Sequence, residues 1–133
     1  MILVDSSVWI DFFAGTDNPA TQQLQNLLLD SSATLGAADL IVFEVLRGFR
    51  SEKNRLQAQA YLSALPQVTL GGLGNALLAA EHYRELRALG YTIRSPIDVL
   101  LASYCITHGH LLLHRDADFD VLETLRGLEV WKH

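Results

Sequence analysis

The first seven residues, Met1-Ile2-Leu3-Val4-Asp5-Ser6-Ser7, restrict the fold more than any other stretch of the chain. A short apolar run ended by polar residues reads as a buried strand. Strands buried on both faces belong to parallel sheets covered by helices. An acid where such a strand gives way to a helix stands at the mouth of an α/β sheet, where these folds keep their ligand sites. What matters next is whether other carboxylates reach the same mouth.

Helical spacing and end signals partition the remaining chain. Ser6 or Ser7 is expected to cap a helix through Phe13, ended by Gly15. Asp17-Asn18-Pro19 opens a second helix to about Leu29, with the proline in its first turn. Further helices are expected over Asp39–Phe49, Glu52–Leu65, Gly74–Leu89, Pro96–Thr107 and Ala117–Leu125. Strands are expected at Ala33–Gly36, Gln67–Leu70, His110–His114 and Leu128–Trp131. This alternation predicts an α/β fold with helices on both faces of a central, mostly parallel sheet. At 133 residues, half of them hydrophobic, the chain is sized for one domain over 1–133 with a real core.

Several classes of chemistry are missing. The single cysteine, Cys105, lies on an apolar helical stretch and suits packing in a reducing, cytoplasmic setting. The N-terminus shows no basic region or cleavage site, and no apolar run approaches the roughly 20 residues of a bilayer span, so no membrane association is expected. There is no glycine-rich phosphate loop, no serine nucleophile elbow and no Cys/His cluster at zinc spacing. The net charge of −5 argues against nucleic acid, unless the acids are gathered around cations that reverse the local field.

The acids are what remain. Asp5 could cap its helix, although Ser6 and Ser7 can each do that. Glu44 lies mid-helix among Leu40, Ile41, Val42, Phe43, Val45 and Leu46. It could pair with Arg47, for about 0.3 kcal/mol. Gly48 on the same face would leave room beside it. Asp98 fits a capping box in Ser95-Pro96-Ile97-Asp98. Asp116 and Asp118 follow the strand ending at His114, where one of them could cap the next helix. Singly, each has a structural explanation; together, they gather at strand ends and helix starts. Two carboxylates ~4 Å apart repel by about 4 kcal/mol at an effective dielectric of 20, so protons or cations must relieve the cluster. An all-oxygen ligand set suits Mg²⁺ or Mn²⁺, which can activate water against a phosphodiester.

In this order, the acid after the first strand, the Glu one turn before Arg-Gly, Ser-Pro-Ile-Asp opening a helix and Asp-Ala-Asp-Phe after an apolar strand resemble a PIN-domain ribonuclease. More narrowly, they resemble the VapC toxins of bacterial toxin-antitoxin pairs, over nearly the whole chain. The resemblance implies a PIN-like domain and a Mg²⁺- or Mn²⁺-dependent endoribonuclease acting on RNA, often tRNA or rRNA. It implies Asp5, Glu44, Asp98 and Asp116 as the metal-binding and catalytic acids, with Asp118 as a further metal candidate and Ser7 in support. It also implies a homodimer and a VapB-like antitoxin that places a basic side chain among the acids. The chain departs from the family at His114-Arg115, where Thr, Ser or Asn commonly precedes the fourth acid. Those two residues could contact substrate phosphate or could simply end the strand.

Arg47, Arg50, Lys53 and Arg55 form a basic cluster near Glu44, read mainly as a solvated face. Three other readings compete. A receiver-like phosphoacceptor domain needs a lysine after a late strand, and Lys53 and Lys132 are not so placed. A haloacid-dehalogenase-type phosphatase needs an acid at position 7, which is Ser. A catalytically inactive PIN-like binding module shares every feature above.

Overall fold

The computed structural model describes residues 1–133. Five strands and seven helices alternate: β1 (Ile2–Val4), α1 (Ser6–Phe13), α2 (Pro19–Leu29), β2 (Leu35–Ala38), α3 (Asp39–Arg47), α4 (Glu52–Ser63), β3 (Gln67–Val68), α5 (Leu73–Ala88), α6 (Pro96–His108), β4 (Leu111–Leu113), α7 (Asp118–Arg126) and β5 (Glu129–Val130). The strands form one sheet in the order β3-β2-β1-β4-β5. Every neighbouring pair is parallel, so the sheet is parallel throughout rather than mostly so. Helices flank it in the three-layer arrangement that the alternation predicts.

β1 is the central strand, and its three residues are all buried. Ile2 and Leu3 pair with Leu35 and Gly36 on one side, and Ile2 to Val4 pair with Leu111 to Leu113 on the other. From β1 the chain steps outward to β2 and β3, then returns across the sheet to β4 and β5. The switch point of this parallel sheet therefore lies between β1 and β4, with Asp5 at its lip. The Asp5 amide donates to the Leu113 carbonyl at 3.0 Å, extending the pairing one residue past β1.

The helix ends follow their local chemistry. Asn18 and Thr21 form a reciprocal capping box at the start of α2, with Pro19 beside it. α3 stops at Arg47, two residues short of the expected Phe49, and Gly48 is its C-cap at φ −87°. Gly48 thus ends α3 and is not an interior residue, and an added Cβ there would meet only the Val45 carbonyl oxygen, at 3.8 Å.

Gly36 is a glycine the sheet requires. Opposite Leu3 in the pairing register, it sits where a Cβ would lie 2.5 Å from Met1 Sδ and 2.8 Å from Leu3 Cδ2. Met1 can swing aside, but Leu3 is fully buried and cannot. A Gly36→Val protein is expected to lose about 1–3 kcal/mol of stability to overpacking, with Gly36→Ala losing less. In the same urea titration Gly48→Ala should change stability by less than about 0.5 kcal/mol. Equal effects at the two glycines would contradict this account.

Candidate active site

Asp5 occupies the N-cap position of α1 in extended conformation, and Ser6 and Ser7 are the first two helical residues. The expected serine cap is therefore absent. The backbone turns one residue earlier, because the Asp5 N–H is taken by Leu113 while its carbonyl accepts from the Val8 and Trp9 amides. The Asp5 side chain makes no capping bond of its own. Ser7 Oγ donates to Asp5 Oδ2 at 2.7 Å. Asp5 Oδ1 is buried and has no partner. Burial raises the carboxyl above its ordinary value, against the lowering influence of the Ser7 hydroxyl, the Ser6 and Ser7 amides and His114. A buried acceptor left open is costly unless something else fills it.

Glu44 repeats the pattern from α3. Its side chain is 14% exposed, and Oε1 is buried without a partner. Arg47 reaches only to 4.0 Å from Oε2 and lies largely in solvent, its guanidinium over the Phe43 ring. The surface ion pair that could have explained Glu44 is thus marginal. Burial raises the Glu44 carboxyl, the Ser6 hydroxyl lowers it and the Asp5 charge raises it. Ser6, expected only as a cap, is therefore a polar neighbour of Glu44. No sequence spacing pointed to this, because the contact depends on how α3 packs on α1.

Asp98 enters from the first turn of α6. Ser95 is the N-cap, yet neither side-chain bond of the expected capping box forms; only the Asp98 amide bonds back, to the Ser95 carbonyl at 3.1 Å. The carboxyl is left without a hydrogen-bond partner, and the residue is 7% exposed. Asp116 lies in the β4–α7 loop, where its Oδ1 accepts the Asp118 amide at 2.9 Å and its own amide donates to His114 Nδ1 at 3.2 Å. Oxygens of Asp98, Asp116 and Asp118 all lie within 4.8 Å of one another. Asp118, ranked behind the others from sequence, stands in the tight trio. Asp5 and Glu44 lie outside it, but their charges are felt at Asp98.

Asp98 is the electrostatic focus. Burial, and then the charges of Asp5, Asp116, Glu44 and Asp118, push its carboxyl up to about 7. Three close carboxylates, two orphaned buried carboxylate oxygens and no nitrogen or sulfur donor make a set that fits a hard divalent cation. Two arginines stand at the rim. Arg94 Nε is 3.4 Å from Asp118 Oδ2, and Arg115 pairs with Asp11 of α1. His114 packs on Phe119 with its Nδ1 holding the Asp116 amide, so it shapes the loop. Cys105 is buried on α6, as expected of a packing residue. No helix is long and apolar enough to cross a membrane.

Comparison with known proteins adds a lineage to this geometry. The PIN domain family model matches residues 2–125. The chain is 33% identical over 129 residues to Ribonuclease VapC11 of Mycobacterium tuberculosis, covering 97% of this chain and 96% of that protein. A VapC ribonuclease of Mycobacterium bovis matches over the same extent and identity. Among solved structures, VapBC2 of Rickettsia felis, bound to a DNA fragment from its promoter, superposes with a TM-score of 0.77 at 19% identity and covers 98% of each chain. FitAcB of Neisseria gonorrhoeae superposes with a TM-score of 0.72 at 17% identity, covering 99% of this chain and 97% of the other.

The raised carboxyls make stability depend on pH. Asp98 unfolded titrates near 3.8 and folded near 7, so its favourable contribution is complete below 3.8 and is lost as pH rises through about 7. The lowered His82, His110 and His114 act in the opposite sense, so the Asp98 effect is isolated by comparing the parent with Asp98→Asn. In EDTA, the melting temperature of the parent relative to Asp98→Asn is therefore expected to fall as pH rises from about 4 to about 7. Saturating Mg²⁺ or Mn²⁺ should flatten that fall. A difference that stays constant or climbs over this interval in EDTA would contradict the reading.

Proposed function

The chain belongs to the PIN-domain family, among its VapC ribonucleases, and on that premise we propose that it is a Mg²⁺- or Mn²⁺-dependent endoribonuclease toxin neutralised by a VapB-like antitoxin. One observation supports this most directly. The buried Asp98 carboxyl is pushed to about 7 within a group of five acids, two of which keep an unpartnered buried oxygen. Acids held this way are costly to a fold that does not use them.

Asp98, Asp116 and Asp118 would hold the cation, with Asp5 and Glu44 completing the acidic set. When bound, such a cation polarises the phosphodiester and makes a water nucleophilic at neutral pH. The remaining work falls to the chain's own groups. Ser7 holds Asp5 through Oδ2 and leaves Oδ1 without a protein partner, an acceptor that a bound cation or its water would fill. Ser6 is the polar neighbour of Glu44 whose hydroxyl favours the charged carboxylate. The Asp116–Asp118 loop bond and the His114 acceptor hold the β4 side of the site in one geometry, so little reorganisation is needed on substrate entry.

The substrate in this reading is RNA, with tRNA or rRNA as the class to try first, and the active form is a homodimer. An antitoxin would close the site by inserting a basic side chain between the carboxylates, replacing the cation's charge with its own. A solved structure of like fold from Klebsiella pneumoniae is a toxin-antitoxin complex, in keeping with such a partner.

Asp98→Asn and Asp116→Asn are expected to lower the rate of RNA cleavage by about 100-fold or more, the scale of losing one preorganised electrostatic contact. The folded protein should persist by circular dichroism, since the lost charges repel one another. Variants that cleave RNA as fast as the parent would sink the proposal.

A further inference from the structure

A groove of about 440 Å³ runs between α5 and α6, beside the acidic centre. Its floor is apolar, with Ala79 and Val99 buried in it, and its lips carry Tyr83, Arg84 and Arg94. Pro96 lines it two residues before Asp98, and Arg94 touches both regions, since its guanidinium faces Asp118. We propose that this groove is the subsite for a nucleotide flanking the scissile phosphate of single-stranded RNA, a proposal that rests on the ribonuclease reading above.

The chemistry of the lining selects that occupant. An apolar floor with an exposed tyrosine at its edge suits the flat face of a base, which stacks whatever its sequence. Two guanidiniums on the same rim suit the phosphates on either side of that base, which they can engage through paired hydrogen bonds. Neither arginine is committed elsewhere. Arg84 has no carboxylate partner, and the Arg94 side chain is 81% exposed in a single long contact to Asp118. A cation drawn to Asp98, Asp116 and Asp118 would compete for that carboxylate and release Arg94 at the edge of the reaction centre. In a chain of net charge −5, this rim is a place where cationic groups stand beside the acidic site with an apolar surface between them.

The test uses a 2′-O-methyl oligouridylate of about ten nucleotides, a non-cleavable single strand, with binding followed by fluorescence anisotropy in Mg²⁺ across a salt series. Arg84→Gln and Arg94→Gln are each expected to weaken binding and to reduce the slope of log K against log salt by ~0.7, the value of one phosphate contact in a single strand. Tyr83→Ala should lose about tenfold in affinity with the slope unchanged, and Tyr83→Phe should restore it. Arg87→Gln, on the same helix but outside the groove, should leave both quantities as in the parent. On cleavable RNA the Tyr83→Ala and Arg84→Gln proteins should raise KM and spare kcat. If the parent binds RNA and the Tyr83→Ala, Arg84→Gln, Arg94→Gln triple variant binds it equally, the subsite is wrong while the ribonuclease reading stands. The subsite is equally overturned if light scattering shows the triple variant falling from dimer to monomer with RNA affinity intact, which would make the groove a self-association face. A parent that neither binds nor cleaves RNA brings down the functional reading and the subsite with it.

Discussion

The pairing of β1 with strands on both sides is the constraint on which the rest depends. Three buried apolar residues, hydrogen-bonded to β2 and β4 alike, leave the strand no freedom of register. Asp5, the next residue, is then carried to the switch point with its amide tied to Leu113. The same parallel order brings the end of β4, and with it Asp116 and Asp118, to the same edge. Asp98 and Glu44 arrive on helices rather than strands, so their positions depend on the packing of α6 and α3 against this frame. A glycine opposite Leu3 is part of the same constraint, because no larger residue fits beside the central strand there.

The site works against the fold that holds it. Asp98 feels the charges of four other acids, two of them within 4.8 Å, and burial first and that repulsion second raise it to about 7. The structure uses little of its hydrogen-bonding capacity to soften it. Ser7 serves Asp5 through one oxygen and the Asp118 amide serves Asp116, but the buried oxygens of Asp5 and Glu44 stay open. Elsewhere the chain pairs its charges: Arg126 with Glu85, Lys132 with Glu123, Arg55 with Glu52. Ordinary pairing at the surface and open acceptors at the sheet edge together mark a place kept for a ligand.

Much of this was readable in the sequence, for physical reasons that differ by residue. β1 and β4 announce themselves as short apolar runs, and the parallel sheet follows from strand–helix alternation. The acids could be nominated because each stands at a strand end, a helix start or among apolar neighbours. The capping assignments were less secure. Ser6, Ser7 and Ser95 match the statistics of helix caps, yet Asp5 takes the cap position of α1 in place of Ser6 and Ser7, and Ser95 keeps the cap position of α6 without the side-chain bonds of a capping box. The closeness of Asp118 to Asp98 and Asp116 was not readable either, since it arises from three-dimensional closure. The roles of Ser6 and Arg94 could not be read at all, because their partners lie on other elements, far along the chain.

The central claim is that Asp98, Asp116 and Asp118, backed by Asp5 and Glu44, form one divalent-cation site at the switch point. Anomalous diffraction from crystals grown with Mn²⁺ tests it most directly. The account predicts a peak at coordination distance, roughly 2–2.5 Å, from carboxylate oxygens of that trio. It also predicts that the peak disappears in the Asp98→Asn protein. A protein saturated with Mn²⁺ that shows no peak there, or shows one only at other acids, would contradict it.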